Sequence, residues 1–171
     1  LCVIKLNHMG KHKYWGKVEE DWAGYSGEIK FKSENFDKKE ITIFLGSEFD
    51  EDGEEIETIP TENELDDFEN TYLEFLKKFD NILIDISEKT FERYLKLYAH
   101  YYENQEKSGE KPLNIDTKEK HFENIKEILY LRVLKNGNIQ IPIRYKIDTE
   151  HGVEIRLEKN KVIGVGGIAE T

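Results

Sequence analysis

Apolar and polar residues alternate along two stretches in the first third of the chain. Residues 24–31, GYSGEIKF, and residues 38–49, KKEITIFLGSEF, place Tyr, Ile, Leu or Phe at most second positions. A period of two is typical of a strand with one buried face, so both stretches predict antiparallel strands. An Asp-Gly turn signal at 52–53 leads into a third, short strand, which is predicted around Ile56 and Ile59.

The middle of the chain has the spacing of helices instead. Thr61 and Glu64 form a capping box, and apolar residues then recur three or four positions apart. This pattern predicts a first helix from about 62 to 79. The acidic residues of its first turns suit the positive end of the helix dipole.

Two further helices are predicted before the chain returns to strands. Ser87 is the predicted N-cap of the second helix, which continues to about residue 106. Asp116 or Thr117 is predicted to begin the third helix, whose apolar positions extend to Leu129.

Aromatic residues concentrate on the second helix and near the N-terminus. We interpret the tyrosine stripe of the second helix as core with phenol groups that reach the surface, rather than as the lining of a ligand pocket. The two tryptophans are expected to be either core anchors or an exposed patch for a partner. These residues are Tyr94, Tyr98, Tyr101, Tyr102, Trp15 and Trp22.

The last quarter of the chain alternates again. Asn136-Gly137 between apolar alternations predicts a hairpin. Pro142 lacks an N–H, so its strand is expected to lie at an edge or to be bulged there. A second hairpin is predicted to turn near Lys159 and Asn160.

The predicted order of elements, ββ(β)–ααα–ββββ, defines the fold class. Runs of strands, then helices, then strands indicate an α+β fold, with an antiparallel sheet and a helical layer on one side. The order leaves open whether the N-terminal strands join the C-terminal sheet or form a layer of their own. At 171 residues, the chain is expected to form one domain.

The first eight residues stand apart from this domain. Met9 is the only methionine, so we expect translation to start there, with 1–8 a non-native or upstream tail and 9–171 a single α+β domain. Cys2 is the only cysteine, which excludes an intramolecular disulfide and fits a reducing cytoplasm. No run of 18 apolar residues occurs, so the sequence predicts no membrane span.

Nearly all of the excess negative charge comes from one segment. The net charge is −11, and residues 48–80 alone carry 14 acidic and 2 basic residues. Such a field repels nucleic acid and anionic lipid and attracts basic partners, so we expect a basic protein partner and neither nucleic acid nor membrane. The alternative is a solvated loop and helix face that keeps the protein soluble.

The glycines near the C-terminus resemble a cofactor motif. From Gly164 the chain reads GVGGIA, which fits the loose form of the dinucleotide fingerprint. That fingerprint needs a helix after the glycines, a later acidic residue for the ribose, and a βαβ unit. None of these is predicted, so we interpret the segment as a closing strand and expect no cofactor.

Neither a metal site nor a catalytic residue is predicted. The segment 48–59 has the Gly53 of a calcium loop, but Ile59 stands where a bidentate Glu is required, which leaves only weak, nonspecific binding of divalent ions. No HExxH or CxxC motif occurs. We expect surface or hydrogen-bonded structural roles for the histidines, which are His8, His12, His100, His121 and His151.

Both ends of the chain resemble a known family. The C-terminal segment YKIDTEHGVEIRLEKNKVIGVGGIAE resembles the signature of bacterial uncharacterised domains found beside polymorphic-toxin and contact-dependent-inhibition genes. The residues that carry the resemblance there are Asp148, His151, Gly152, Val153, Ile155, Val165 and Gly166. Those that carry it near the N-terminus are Trp15, Gly16, Val18, Tyr25, Gly27, Ile29 and Phe31. The resemblance implies an immunity-like or accessory intracellular protein and no catalytic residues.

These observations lead to one functional expectation. We expect a cytoplasmic, non-enzymatic protein that neutralises a cognate bacterial toxin through an acidic surface, since many such toxins are nucleases with basic clefts. The predicted partner-facing residues are Asp50, Glu51, Asp52, Glu54, Glu55, Glu57, Asp66 and Asp67. The alternatives are a small-molecule-binding or enzymatic domain, with a pocket between sheet and helices, and a structural subunit of a larger assembly.

Overall fold

A computed structural model describes residues 9–168 and 170. Over these residues the chain has an α+β fold with nine strands in one sheet and five helices. The strands are β1 (Met9–His12), β2 (Gly16–Asp21), β3 (Gly24–Lys32), β4 (Glu40–Leu45), β5 (Glu127–Ile128), β6 (Leu131–Val133), β7 (Asn138–Arg144), β8 (Val153–Glu158) and β9 (Lys161–Gly166). The helices are α1 (Glu62–Lys77), α2 (Phe79–Leu97), α3 (Ala99–Tyr102), α4 (Gln105–Ser108) and α5 (Lys118–Phe122). The tail predicted at 1–8 lies outside the described residues.

The strand order is β1-β2-β3-β4-β6-β7-β8-β9, with β5 paired to β7. The N-terminal strands therefore join the C-terminal sheet. The prediction of a purely antiparallel sheet was wrong at one pair, because β4 and β6 run parallel with Ile43 opposite Leu131 and Leu45 opposite Val133. All five helices lie between these two strands in the chain, which gives a connection long enough to return the chain to the end where β4 began.

Three strands, β1, β2 and β5, were not predicted, and one predicted strand is wrong. β1 and β2 precede the strands that the alternation indicated, and in β2 only Val18 is buried. The strand predicted around Ile56 and Ile59 does not form. That segment contains only one isolated bridge, between Phe49 and Glu55.

The first helix is confirmed, and the starts of the next two differ from the prediction. In α1, Thr61 and Glu64 form the predicted capping box. The prediction of Ser87 as an N-cap was wrong, because α2 begins at Phe79 and Ser87 lies inside it. The single residue Lys78 separates α2 from α1. α5 has the predicted cap at Thr117 but ends at Phe122 instead of continuing to residue 129.

The C-terminal hairpins are confirmed. Asn136 and Gly137, and then Lys159 and Asn160, adopt the positive φ angles that tight hairpin turns require. Pro142 lies in β7, inside the sheet rather than at an edge. Its carbonyl accepts a hydrogen bond from the Leu129 N–H, which lies between β5 and β6. The pairing of β7 with β5 and β6 is interrupted at this point, so the missing N–H of Pro142 costs no hydrogen bond between strands. The glycine-containing segment forms β9 and pairs with β8, as predicted for a closing strand.

One hydrophobic core joins the sheet to α1 and α2. Trp15 lies in this core with no exposed surface, and its indole N–H donates to the Leu65 carbonyl at 3.0 Å. A side chain at Gly27 would meet the Trp15 carbonyl oxygen at 2.7 Å, so the close approach of the strand requires glycine. Trp22, by contrast, is 64% exposed. Among the described residues, no helix is long and apolar enough to cross a membrane.

Candidate binding site at the acidic loop

The acidic loop, residues 46–61, connects β4 to α1 and carries six of the eight acidic residues predicted to face a partner. All six side chains lie in the exposed class, and they are Asp50, Glu51, Asp52, Glu54, Glu55 and Glu57. The structure therefore brings these six together on one short segment. The other two, Asp66 and Asp67, lie on α1.

The tip of the acidic loop is a turn closed by one of its own carboxylates. One side-chain oxygen of Asp50 accepts hydrogen bonds from the N–H groups of Asp52 and Glu54, both at 2.9 Å. The Asp50 N–H donates to the Glu54 carbonyl at 2.8 Å, and the Gly53 N–H donates to the Asp50 carbonyl. Asp50 therefore shapes the turn, while the other acidic side chains of the turn are left on its outside.

Both ends of the acidic loop are anchored to the sheet. The Tyr25 hydroxyl donates to the Glu57 carbonyl at 2.8 Å. The buried guanidinium of Arg132 donates to the carbonyls of Gly46 and Ala23, both at 2.9 Å. Charged donors make stronger hydrogen bonds than neutral ones, so the start of the acidic loop is firmly held.

Aromatic rings enclose the same arginine on the sheet face opposite the helices. The Arg132 guanidinium lies 5.1 Å from the ring centres of Phe44 and Tyr130. The exposed Trp22 meets both rings edge to face, at 5.0 and 5.4 Å. Of the two tryptophans, Trp15 is thus a core anchor, and Trp22 is exposed and packs on the two rings that flank Arg132.

A cleft of about 640 Å³ opens between the acidic loop, the start of α1 and the turn after β6. Its lining is largely apolar, and its charged lining residues are three acids and one lysine. The lining residues are Tyr25, Leu45, Gly46, Ser47, Phe49, Asp50, Glu51, Ile56, Thr58, Ile59, Pro60, Thr61, Glu64, Phe68, Leu134 and Lys135. The cleft borders the sheet through Tyr25 and Leu45 and borders α1 through Glu64 and Phe68, which is the kind of position that the alternative of a small-molecule or enzymatic domain predicted for a pocket.

The two charged residues on the α1 side of the cleft, Glu64 and Lys135, form an ion pair with each other. Lys135 donates to Glu64 at 2.9 Å, and Glu64 also accepts from the Thr61 N–H of the capping box. The hydrogen bond from Lys135, followed by that from Thr61, lowers the pKa of Glu64. Asp50 and Glu51 therefore set the sign of the remaining charge, which is negative.

The two acidic residues on α1 face different neighbours. Asp66 accepts hydrogen bonds from His12 at 2.9 Å and from Lys13 at 3.2 Å. Both contacts lower the pKa of Asp66, and the hydrogen bond from His12 has the larger effect. Asp67 is exposed and contributes to raising the pKa of Lys135, at the rim of the cleft. Asp66 is thus engaged with the turn after β1, whereas Asp67 is exposed on α1 and does not line the cleft.

One group of side chains has distances that suit a metal ion. Single ligand atoms of His12, Asp66 and Glu69 lie within 4.8 Å of one another. However, Nδ1 of the buried His12 accepts from the N–H groups of Tyr14 and Trp15, at 3.2 and 3.3 Å. The proton of the neutral ring therefore sits on Nε2, the atom that would have to bind the metal. The hydrogen bonds favour a structural role for this group, which closes the turn between β1 and β2 and ties it to α1.

A tyrosine cluster joins α2 and α3 to the sheet. The hydroxyl of the buried Tyr94 donates to Glu103 at 2.7 Å, and the Tyr98 hydroxyl donates to Asp148 at 2.8 Å. The Tyr102 hydroxyl donates to the Ile147 carbonyl. For Tyr94, Tyr98 and Tyr102 these contacts fit the interpretation of the stripe as core with polar phenol groups, whereas Tyr101 is 44% exposed and lies outside the core.

His121 is fully buried beside this cluster. Its Nε2 lies 2.6 Å from the Tyr145 hydroxyl oxygen, and its Nδ1 has no hydrogen-bond partner. Burial lowers the pKa of His121 to about 4, because a charged imidazolium would lose its hydration there. The ring is therefore neutral at pH 7.

Residues 148–152, DTEHG, which carry part of the resemblance, form a tight turn between β7 and β8. Asp148 accepts from the His151 N–H and lies 3.0–3.1 Å from His151 Nδ1, while the Gly152 N–H donates to the Asp148 carbonyl. Gly152 has a φ of 64°, and a side chain there would come within 3.0 Å of the Ile143 carbonyl oxygen. The turn therefore requires glycine for both its conformation and its packing.

This turn gives a prediction about pH. The hydrogen bond to Asp148 raises the pKa of His151 above its ordinary 6.5, because it favours the charged ring. The resulting stability is fully present below pH 6.5 and is lost as the pH rises through the folded pKa. We expect the difference in thermal midpoint between wild type and His151→Gln to shrink from about pH 5.5 to pH 8.5. A difference that is constant over this range would contradict the pairing.

Some lining residues of the cleft were not anticipated from the sequence. Phe49 is 51% exposed although it ends an alternating strand pattern, and Lys135 directly precedes the predicted hairpin turn at 136–137. The sequence signal for Phe49 is its position between acidic residues, which favour exposure of the segment to water. The approach of Lys135 to Glu64 depends on the fold and leaves no trace in the sequence spacing.

Comparison with known proteins gives one match. The profile of the family described as a domain of unknown function (DUF6985) matches residues 14–170. No curated protein and no solved structure matches the chain.

Proposed function

We propose a function from the premise that the chain belongs to the DUF6985 family of domains of unknown function. The protein is a non-enzymatic binding protein, and it binds a basic protein partner through the acidic loop. The partner is a cognate bacterial toxin, which the protein neutralises in the cytoplasm by covering a basic substrate-binding surface. The toxin as partner comes from the resemblance at the two ends of the chain, and the basic character of the partner comes from the charge.

The observation that carries the proposal is the exposed, pre-shaped acidic turn. Glu51, Asp52, Glu54 and Glu55 point outward from a turn that Asp50 closes by its own hydrogen bonds. Because the backbone is already fixed, a partner does not have to order the turn on binding. A dense negative field also accelerates association with a basic surface and excludes anionic competitors.

An enzymatic function has less support among the described residues. The charged groups at the cleft include Glu64 and Lys135, which are paired to each other, and Asp50, which holds the turn. Two of the histidines, His12 and His121, are buried and hydrogen-bonded. These arrangements stabilise the fold and favour binding over proton transfer to a substrate.

The test is binding to the product of the neighbouring gene. We expect co-purification with wild type, and a slower association for the triple variant Glu51→Lys, Glu54→Lys, Glu55→Lys. Loss of the local field is expected to lower the association rate about ten- to a hundredfold at low salt, measured by stopped-flow or surface plasmon resonance. Asp50 is left unchanged because it shapes the turn.

The control keeps the same total charge change. Glu34→Lys, Glu110→Lys, Glu119→Lys reverses three exposed acids outside the acidic loop. We expect this variant to bind nearly as fast as wild type. Equal slowing of both triple variants would assign the effect to net charge alone, and failure of wild type to bind the neighbour would refute the toxin partner.

A further inference from the structure

We infer that the cleft beside the acidic loop is the docking site for an arginine-bearing, apolar segment of the partner, an inference that rests on the proposed function. The cleft adds a contact of defined shape to an otherwise electrostatic surface. Its volume of about 640 Å³ lies within the range of ligand pockets, roughly 300–1,000 Å³, and accommodates more than one side chain.

The apolar part of the lining requires an apolar contact from the occupant. Phe49 is 51% exposed at the cleft, and Ile56 and Leu134 also line it. Covering this surface removes apolar area from water, which a purely charged occupant would not do. An arginine or lysine brings a hydrocarbon stem, and a neighbouring apolar residue of the partner extends the contact.

The charges at the cleft require that the occupant be positive. Asp50 and Glu51 line it from the acidic loop, and Lys135 is held by Glu64 at 2.9 Å. Asp67 adds negative potential near Lys135. A cation is therefore attracted by the uncompensated acids, and an anionic ligand is repelled.

Arginine fits this lining better than lysine. Its planar guanidinium makes paired hydrogen bonds to a carboxylate and stacks on an aromatic face, and here Glu51 and Phe49 both line the cleft. Lysine offers a point charge that stays more strongly hydrated. The cleft should therefore select arginine over lysine at the position that enters it.

The test uses short peptides as probes of the full chain. The probe is the acetylated, amidated pentapeptide Gly-Leu-Arg-Leu-Gly, and its matched controls replace the arginine by lysine or glutamate. In two-dimensional NMR titrations we expect saturable shifts of cleft amides at low-millimolar peptide, with affinity in the order arginine, lysine, glutamate. No saturable shift, shifts confined to other surfaces, or equal affinity for all three peptides would overturn the inference.

Two variants test the shape and the apolar lining of the cleft without changing its charge. Thr58→Trp places a large side chain at an exposed lining position without changing any charge, and Phe49→Ala removes the exposed ring. We expect each to weaken binding of the arginine peptide about tenfold. Ile84→Ala is the control, because Ile84 is 54% exposed on α2 and does not line the cleft. Unchanged affinity in both cleft variants, with native circular dichroism, would refute the site.

The same variants keep this inference distinguishable from the proposed function. If the neighbouring gene product binds wild type and Thr58→Trp equally well, the cleft is not the docking site although the function stands. If the arginine peptide binds in the cleft but the neighbour does not bind, the toxin partner is wrong and the cleft still selects a cationic segment.

Discussion

Replacing Trp15 by alanine is expected to lower the free energy of unfolding by about 3–5 kcal/mol, the usual cost of removing a large aromatic side chain from a packed core. Trp15 is fully buried, lies 5.6 Å from the Tyr72 ring and 4.9 Å from the Tyr14 ring, and donates its indole N–H to Leu65. The substitution leaves a cavity and also a buried carbonyl at Leu65 without this donor. Urea unfolding followed by circular dichroism measures the change.

The same substitution at Trp22 is the matched control. Trp22 is 64% exposed and makes two edge-to-face contacts, with Phe44 and Tyr130, which together are worth about 1–3 kcal/mol. We expect Trp22→Ala to cost about that amount. Equal midpoints for the two variants would show that Trp15 does not anchor the core.

Acid is expected to destabilise the protein through His121. Its pKa is about 4 in the folded protein against 6.5 in the unfolded chain, so protons bind preferentially to the unfolded state in between. Stability from this group is therefore complete above pH 6.5 and falls as the pH drops toward 4. Between pH 7 and pH 4.5 the loss is expected to reach about 2–3 kcal/mol.

A paired substitution isolates this contribution from that of the carboxylates. Tyr145→Phe alone leaves His121 without its partner, whereas His121→Phe with Tyr145→Phe replaces both polar groups by apolar groups of similar shape. We expect the double variant to lose about 2–3 kcal/mol less than wild type between pH 7 and pH 4.5 in urea unfolding. Parallel losses in the two proteins would mean that His121 is not held neutral by burial.

The parts of the fold that the sequence predicted are those set by nearby residues. The capping box of α1 and the two turns at 136–137 and 159–160 need only contacts within a few positions, and all three formed as predicted. The start of α2 failed because Lys78 joins two helices without a side-chain cap, so nothing local marks the boundary. β2 was missed because it buries only Val18, which leaves no alternation to detect.

In the candidate site, too, the sequence predicted the features that depend on neighbouring residues and not those that depend on the fold. The charge density of the acidic loop is a local property, and the six acids predicted there are exposed together. The pairing of Asp66 with His12 joins residues 54 positions apart, and that of Glu64 with Lys135 also depends on the fold. The sequence predicted one surface of eight acids, but tertiary contacts give Asp66 a structural role and leave the six acids of the acidic loop exposed.

The parallel pair of β4 and β6 has a consequence for the order of folding. Residues 43–45 meet residues 131–133 only after the intervening chain has been brought back, and closing so long a loop costs entropy before any contact offsets it. The two hairpin-rich ends of the sheet can form from neighbouring segments first, and their union comes late. The Gly46 N–H donates to the Val133 carbonyl beside that union, so the start of the acidic loop is anchored only when the sheet is complete. A nascent chain that still lacks its last quarter therefore has the charges of the acidic loop but not the contacts that anchor its start.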